Sequence, residues 1–109
     1  GTVAPPQSSG SDSTLTEAIE QLQAMLPMEI VKDELSFTSV SYENNILEMS
    51  FKLSQSKYDI TEDNLASYKE NVSEMTNALK TSIPNNTNVV IMSILYDSKN
   101  RKVASFKSK

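Results

Sequence analysis

The apolar residues of this chain follow one order of elements twice: a helix, then two strands joined by a short polar turn. Helical spacing marks residues 14–26 and again 61–83, and strand-type alternation follows each, within 34–54 and 88–107. A chain of 109 residues has room for one domain. We therefore predict an α+β domain in which two αββ repeats form a four-stranded antiparallel sheet, with both helices packed on one face.

Local signals set the predicted boundaries in the first repeat. The first helix is predicted to begin at Thr14, because Thr14 and Glu17 have the spacing of a capping box. Pro27 closes this helix, since the residue before a proline is disfavoured in helical geometry. Asn44–Asn45 is predicted to turn the first hairpin, because asparagine tolerates the positive φ of a type I′ turn.

The second repeat is predicted to begin with a helix near Thr61. Glu62 and Asp63 suit the positive end of a helix dipole. Together with Asp59 they could also contact a hard cation, but the alternating oxygen ligands and glycine turn of a calcium loop are missing. We therefore interpret them as helix-terminal charge and predict no metal site.

The two hairpins share a short motif that draws attention to two tyrosines. Tyr42 and Tyr96 each precede an acidic residue and a polar turn, and each hairpin then closes with Ser–Phe–Lys. At matching positions, the tyrosines could meet at one end of the sheet as a partner-binding pair. The alternative is that each packs against its own hairpin as a cross-strand contact.

The predicted strand over 88–96 is apolar on both faces, which allows two interpretations. It can be a central strand of a well-covered sheet, since such strands are rich in valine and isoleucine. It can also expose an apolar patch for a partner or for weak self-association into a dimer. The candidate partner-binding surface comprises Tyr42, Tyr96, Val89, Ile91 and Leu95.

Composition excludes several classes of chemistry. The chain has no cysteine and no histidine, so disulfides, thiolate nucleophiles and the commonest metal ligand are absent. Two glycines are too few for phosphate-binding or dinucleotide-binding loops. A net charge of −4 argues against nucleic-acid binding. We predict no cofactor and no enzymatic activity, although a hydrolase using carboxylate or Ser/Lys chemistry stays open as an alternative.

The C-terminal segment concentrates positive charge. Its cations are Lys99, Arg101, Lys102, Lys107 and Lys109. Lysines commonly protect an edge strand against aggregation, which is the interpretation we favour. The alternative is a patch for anions or membrane headgroups.

Residues 1–13 differ in composition from the remainder, 14–109, which we assign to the folded domain. They are rich in serine, proline and glycine and offer little to bury, so they are predicted to form a flexible leader that tethers the domain. The alternative is that the sequence is cut from a longer protein.

Short stretches of the chain resemble a known group of proteins. Leu26–Pro27–Met28–Glu29–Ile30, the segment from Leu35 to Tyr42, and the segment from Ile94 to Lys102 resemble small secreted or lipid-anchored domains of uncharacterised function from Bacteroides-type bacteria. The resemblance implies an exported protein of the periplasm or cell surface. Contact with a membrane would then be through a lipid anchor upstream of residue 1. No catalytic residues carry over.

These observations favour a non-catalytic extracytoplasmic module that binds a protein partner or a small ligand. A small inhibitor or immunity-type protein is the alternative, because an acidic, cofactor-free domain also suits that role. If function lies in the sheet, we expect it within residues 88–109, where the two repeats differ most.

Overall fold

The computed structural model describes residues 10–81 and 88–108, with side chains described for 15–81 and 88–107. The elements in chain order are α1 (Gly10–Ala24), β1 (Met28–Val31), β2 (Leu35–Glu43), β3 (Ile46–Leu53), a single 3₁₀ turn (Lys57–Asp59), α2 (Glu62–Lys80), β4 (Val90–Tyr96) and β5 (Lys102–Ser108). Within these ranges, no helix is long and apolar enough to span a membrane.

The strands form one mixed sheet in the order β1-β2-β3-β4-β5. Neighbouring strands are antiparallel except β3 and β4, which are parallel. Helix α2 connects this pair, as a parallel pair requires a crossover. The domain is α+β as predicted, but the four-stranded antiparallel sheet was wrong. The element order alone does not distinguish a helix that crosses back over the sheet from one that precedes a new hairpin.

The additional strand β1 was not predicted. It is only four residues long, and its sequence MEIV lacks a clean alternation of buried and exposed positions. It pairs with the start of β2, where Met28 lies opposite Phe37. Asp33 turns the chain between them with φ of 62°. The first unit is therefore αβββ and the second αββ, so the two repeats are unequal.

Helix α1 begins at Gly10, four residues before the start that the capping box indicated. Residues 10–13, assigned to the leader, are helical, and residues 1–9 lie outside the described residues. The capping-box spacing of Thr14 and Glu17 therefore did not mark the first residue of the helix.

Two local predictions are confirmed. Asn44 and Asn45 have φ of 56° and 66°, as a type I′ turn requires. Thr61 caps α2, and its side-chain oxygen accepts the backbone N–H of Asn64 at 3.1 Å.

The core lies between the two helices and one face of the sheet. Leu15 and Ile19 from α1 and Val72 from α2 belong to the same buried cluster as the inward residues of β2, β3 and β4. At its centre Phe37 and Phe51 are cross-strand partners, and their rings stack with centroids 5.0 Å apart. The hydrophobic cluster thus fixes which sheet face the helices cover.

Candidate functional site

Ile91 and Leu95, two residues of the candidate partner-binding surface, lie in the core. Their exposed fractions are 1% and 0%. Each is the register partner of a core residue of β3, Leu47 and Phe51 respectively. The parallel register thus turns them toward the helices, and they are not exposed on the folded domain. Val89 is half-buried and also packs against the core.

The strand predicted over residues 88–96, which is β4, does have a second apolar face. Because side chains alternate along a strand, Val90, Met92, Ile94 and Tyr96 occupy the sheet face opposite the helices. Ile94 is 5% exposed and lies outside the core cluster. Ile46, the register partner of Val90, is 42% exposed. The sequence left open which of the two apolar faces the helices cover, and this one lies on the side away from them.

Tyr42 and Tyr96 do not form a pair. Tyr42 lies opposite Leu47 at the start of β3, whereas Tyr96 lies opposite Lys52 near its end. These β3 positions are five residues apart, which is about 16 Å at ~3.3 Å per residue. The prediction of one tyrosine-bearing end assumed antiparallel pairing throughout, and the parallel pair sends the two hairpin turns to opposite ends. The Tyr42 hydroxyl instead donates to Asn45 Oδ1 at 3.2 Å.

A buried carboxylate organises the end of the sheet where β4 turns into β5. Asp97 is fully buried. It accepts the backbone N–H groups of Lys57 at 2.8 Å, Lys99 at 2.9 Å and Arg101 at 2.8 Å. Burial alone raises the pKa of Asp97, but these N–H groups, led by that of Arg101, outweigh it and hold the pKa well below the usual value. The carboxylate joins two loops that are 40 residues apart in sequence.

Asp97 also fixes the Arg101 side chain. The guanidinium donates from Nε to Asp97 at 2.9 Å and from Nη2 to Ser56 Oγ at 3.2 Å. Its central carbon lies 4.8 Å from the ring centroid of Tyr58. The Tyr58 residue is 77% exposed and the Arg101 side chain 42% exposed. We call this pair the Tyr58–Arg101 platform.

The platform can bind an anion without first being ordered. A guanidinium has five N–H donors, and the Asp97 and Ser56 bonds use two of them. Held on an aromatic face, the remaining donors suit a carboxylate. Lys57, Lys99 and Lys102 are exposed close by in sequence. Of the C-terminal cations, Lys99 and Arg101 thus lie at this end, and Lys102 and Lys107 lie on β5, an edge strand of the sheet. Lys109 lies outside the described residues.

A second polar cluster lies at the same end. The Tyr68 hydroxyl donates to Glu34 Oε1 at 2.9 Å and lies 3.1 Å from Gln55 Oε1. Burial raises the pKa of this hydroxyl above its usual value, and the hydrogen bond and charge of Glu34 raise it further. The cluster ties α2 to the loops that follow β1 and β3.

Beside these loops, an open hollow of about 540 Å³ is bordered mainly by polar residues. They include Asp33, Glu34, Ser36 and Lys52. In the described part of the chain, no group of three or more acidic side chains is arranged to hold a metal ion. The hollow therefore offers hydroxyl and charged groups but no set of metal ligands.

The sequence contained a signal for Asp97 that composition alone did not reveal. An aspartate at the first position of a turn commonly accepts the N–H two residues later, as Asp97 does from Lys99. The exposed Tyr58 and its contact with Arg101 had no comparable signal. They depend on a loop that meets the β4–β5 turn only in the folded sheet.

Comparison with known proteins identifies relatives of the fold. No family model and no curated protein matches the sequence. Among solved structures, a Pseudomonas aeruginosa protein predicted to be secreted matches with a TM-score of 0.56 and 15% identity, over 94% of this chain and 96% of that chain. The pilotin EpsS of the Vibrio vulnificus type 2 secretion system matches with a TM-score of 0.62 and 13% identity, over 91% of this chain and 90% of that chain. At these identities the likeness shows a shared fold.

Proposed function

We propose that this domain is a non-catalytic protein-binding module that works outside the cytoplasm. The Tyr58–Arg101 platform is its contact point for an acidic segment of a partner protein. The location and the binding role are supported by the fold, which is similar to that of a protein predicted to be secreted and to that of a secretion-system pilotin. The sequence resemblance to exported Bacteroides-type domains points the same way.

The observation that carries the proposal is the fixed position of Arg101. Two hydrogen bonds and an exposed aromatic ring hold its guanidinium before any ligand arrives. Such preorganisation lowers the entropy cost of binding. Tyrosine and arginine are also among the residues that most often dominate the energy of protein interfaces. The neighbouring lysines would attract an acidic partner and speed its encounter.

The state of the two perturbed ionisable groups supports a role without catalysis. The Asp97 carboxylate accepts three backbone N–H groups and the Arg101 side chain, and its lowered pKa makes it a poor proton acceptor near neutral pH. The Tyr68 hydroxyl is bonded to Glu34, and its raised pKa keeps it protonated. Both groups thus serve the fold.

The platform is tested by titrating the purified domain with a short peptide rich in glutamate and tyrosine. We expect Tyr58→Ala to weaken binding about tenfold, as loss of an interface residue worth ~1.4 kcal/mol does. Tyr58 is mostly exposed, so the domain keeps its stability. Lys69→Ala, an exposed change on α2, is the matched control and leaves the affinity unchanged. Equal affinities for Tyr58→Ala and the parent domain would overturn the proposed contact.

The location is tested separately, with the full-length protein in its own cell. Protease added to cells with a permeabilised outer layer and an intact inner membrane is expected to degrade it. Complete protection, with degradation only after the inner membrane is lysed, would contradict the extracytoplasmic part of the proposal and leave the peptide result standing.

A further inference from the structure

Strand β2 has an edge that β1 covers only in part. The register pairs of β1 reach from Leu35 to Phe37 on β2. On its other side β2 pairs with β3 all the way to Glu43. Within the described residues, no strand lies beside residues 39–43 on the β1 side. An unpaired length of strand is a template for another extended chain.

The hairpin turn determines which backbone groups face this edge. A two-residue turn is closed by a hydrogen-bonded pair, here Glu43 and Ile46. Hydrogen-bonded and non-hydrogen-bonded pairs alternate along an antiparallel ladder. Ser41, two residues before Glu43, therefore bonds to β3, whereas Tyr42 and Val40 direct their backbone N–H and C=O groups away from β3. An independent contact agrees: Gln23 Nε2 on α1 donates to the Val40 carbonyl at 2.8 Å. The Gln23 side-chain amide therefore occupies the position from which a neighbouring strand would donate a backbone N–H to Val40.

Helix α1 forms the other wall of a groove along this edge. The groove has a volume of about 310 Å³ and is lined by Thr16, Ile19, Glu20, Gln23, Ser41 and Tyr42. The half-buried Tyr42 side chain supplies apolar surface above the largely buried Ile19, and the Tyr42 backbone groups face the edge. A helix beside a free strand edge provides both main-chain hydrogen bonds and a wall for side chains, the two elements of recognition by strand addition.

The charges around the groove select the occupant. Helix α1 contains no lysine or arginine, and its exposed residues include Glu17 and Glu20. From the start of β2 to the end of its turn, the one charged residue is Glu43, which is also exposed. The charged residues that α1 and β2 place beside the groove are therefore acidic, and the one charged residue in the groove lining is Glu20. Complementary charge favours lysine or arginine in the segment that binds here.

We infer that the α1–β2 groove binds an extended cationic segment of a partner protein, which adds to β2 as a strand. The segment exchanges backbone hydrogen bonds with Tyr42 and replaces the Gln23 amide at Val40. An apolar side chain packs on Tyr42, and lysine or arginine side chains meet Glu20. The inference rests on the general proposal that the domain binds proteins. It does not depend on the Tyr58–Arg101 platform, which lies at the opposite end of the sheet.

The first test follows backbone amide hydrogen exchange in the purified chain, with a short peptide of alternating valine and lysine as the probe. In the free domain we expect Ser41 and Glu43 to be protected and Tyr42 to exchange rapidly. At saturation the Tyr42 amide should become protected by at least about tenfold, as one stable hydrogen bond gives. A glutamate–valine peptide of the same length is the control and leaves Tyr42 unchanged.

Binding strength provides the second test. Glu20→Lys is expected to weaken binding of the valine–lysine peptide about fivefold at low salt, because it replaces an attraction by a repulsion. Glu70→Lys, on the exposed face of α2, makes the same change in net charge and should have little effect. Equal weakening by both variants would reduce the effect to overall charge and contradict a site in the groove.

Other occupants give different results, and each of them overturns the inference. Protection of Tyr42 in the free chain that is lost on deleting residues 1–9 would identify the chain's own segment as the occupant. Protection that is lost on dilution would identify a second copy. An unchanged Tyr42 amide at saturating peptide would show that the peptide does not add to β2. A failure of this kind leaves the glutamate-rich peptide result, and hence the proposed function, untouched.

Discussion

At the scale of single residues, Asp97 holds more of the structure together than any other polar group described above. Its carboxylate connects the β4–β5 turn with the loop after β3 and also orients Arg101. Four donors converge on one buried anion, and hydrogen bonds to a charged group are stronger than those between neutral groups. The same residue therefore supports both the fold and the platform.

The lowered pKa of Asp97 makes stability depend on pH in a defined direction. The folded state binds this proton more weakly than the unfolded state, in which the aspartate has its ordinary pKa of about 3.8. The contribution of Asp97 is therefore complete above that pH and is lost as the pH falls toward the lower folded pKa. We expect Asp97→Asn to be less stable at pH 7 and to lose less stability between pH 7 and pH 3 than the parent chain.

Urea unfolding at the two pH values measures this difference. Glu70→Gln, a carboxylate-to-amide change on the exposed face of α2, is the matched control. If the free energy of unfolding fell by the same amount between pH 7 and pH 3 in the parent chain and in Asp97→Asn, the assigned role of the carboxylate would be contradicted.

At the scale of elements, strong local sequence patterns predicted an observed strand, a turn and a helix start, and a weak pattern left another strand unpredicted. Strand β3 alternates cleanly, and the predicted strand between the Asn44–Asn45 turn and residue 54 lies within one residue of its observed bounds, Ile46–Leu53. The start of α2 near Thr61 and the Asn44–Asn45 turn were also predicted, because each depends on the residues beside it. Strand β1 is too short and too irregular to be recognised, since only its pairing with β2 defines it.

The orientation of the β2 backbone leads to an element-scale prediction. Proline lacks the N–H, so it is tolerated where that group faces an open edge and harmful where it bonds to a neighbouring strand. Relative to alanine at the same position, Ser41→Pro is expected to cost about 2 kcal/mol more than Tyr42→Pro. Denaturant unfolding of the four variants gives the comparison, with alanine removing the side-chain contribution. Equal costs at the two positions would contradict the orientation assigned to the free edge.

At the scale of the whole molecule, the parallel pairing of β3 with β4 decides how the surface is divided. An antiparallel sheet of two hairpins places both turns at one end, whereas the crossover by α2 sends them to opposite ends. The residues of the candidate surface therefore lie in different parts of the molecule. Tyr42 lies at the α1–β2 groove, Tyr96 lies near the end that carries Arg101, and Ile91 and Leu95 lie in the core. Sequence periodicity reveals which residues share a strand face, but pairing direction depends on long-range contacts.

This division predicts two binding surfaces that act independently. Changes more than about 7–10 Å apart with no shared partners usually combine additively. The strand positions of Tyr42 and Tyr96, toward the two ends of the sheet, are about 16 Å apart. We expect Tyr58→Ala to weaken binding of the glutamate–tyrosine peptide. The affinity for the valine–lysine peptide should change by no more than about twofold. Glu20→Lys should weaken binding of the valine–lysine peptide alone. For each peptide, the change in binding free energy of the double variant should equal the sum of the changes in the two single variants.

The parent domain, the two single variants and the double variant are titrated with each peptide separately, because the oppositely charged peptides would bind one another if mixed. Non-additive free-energy changes in the double variant would contradict independent surfaces and show that the two ends are coupled through the sheet. The paired strands β3 and β4, which run between the two ends, are the structural connection that would carry such coupling.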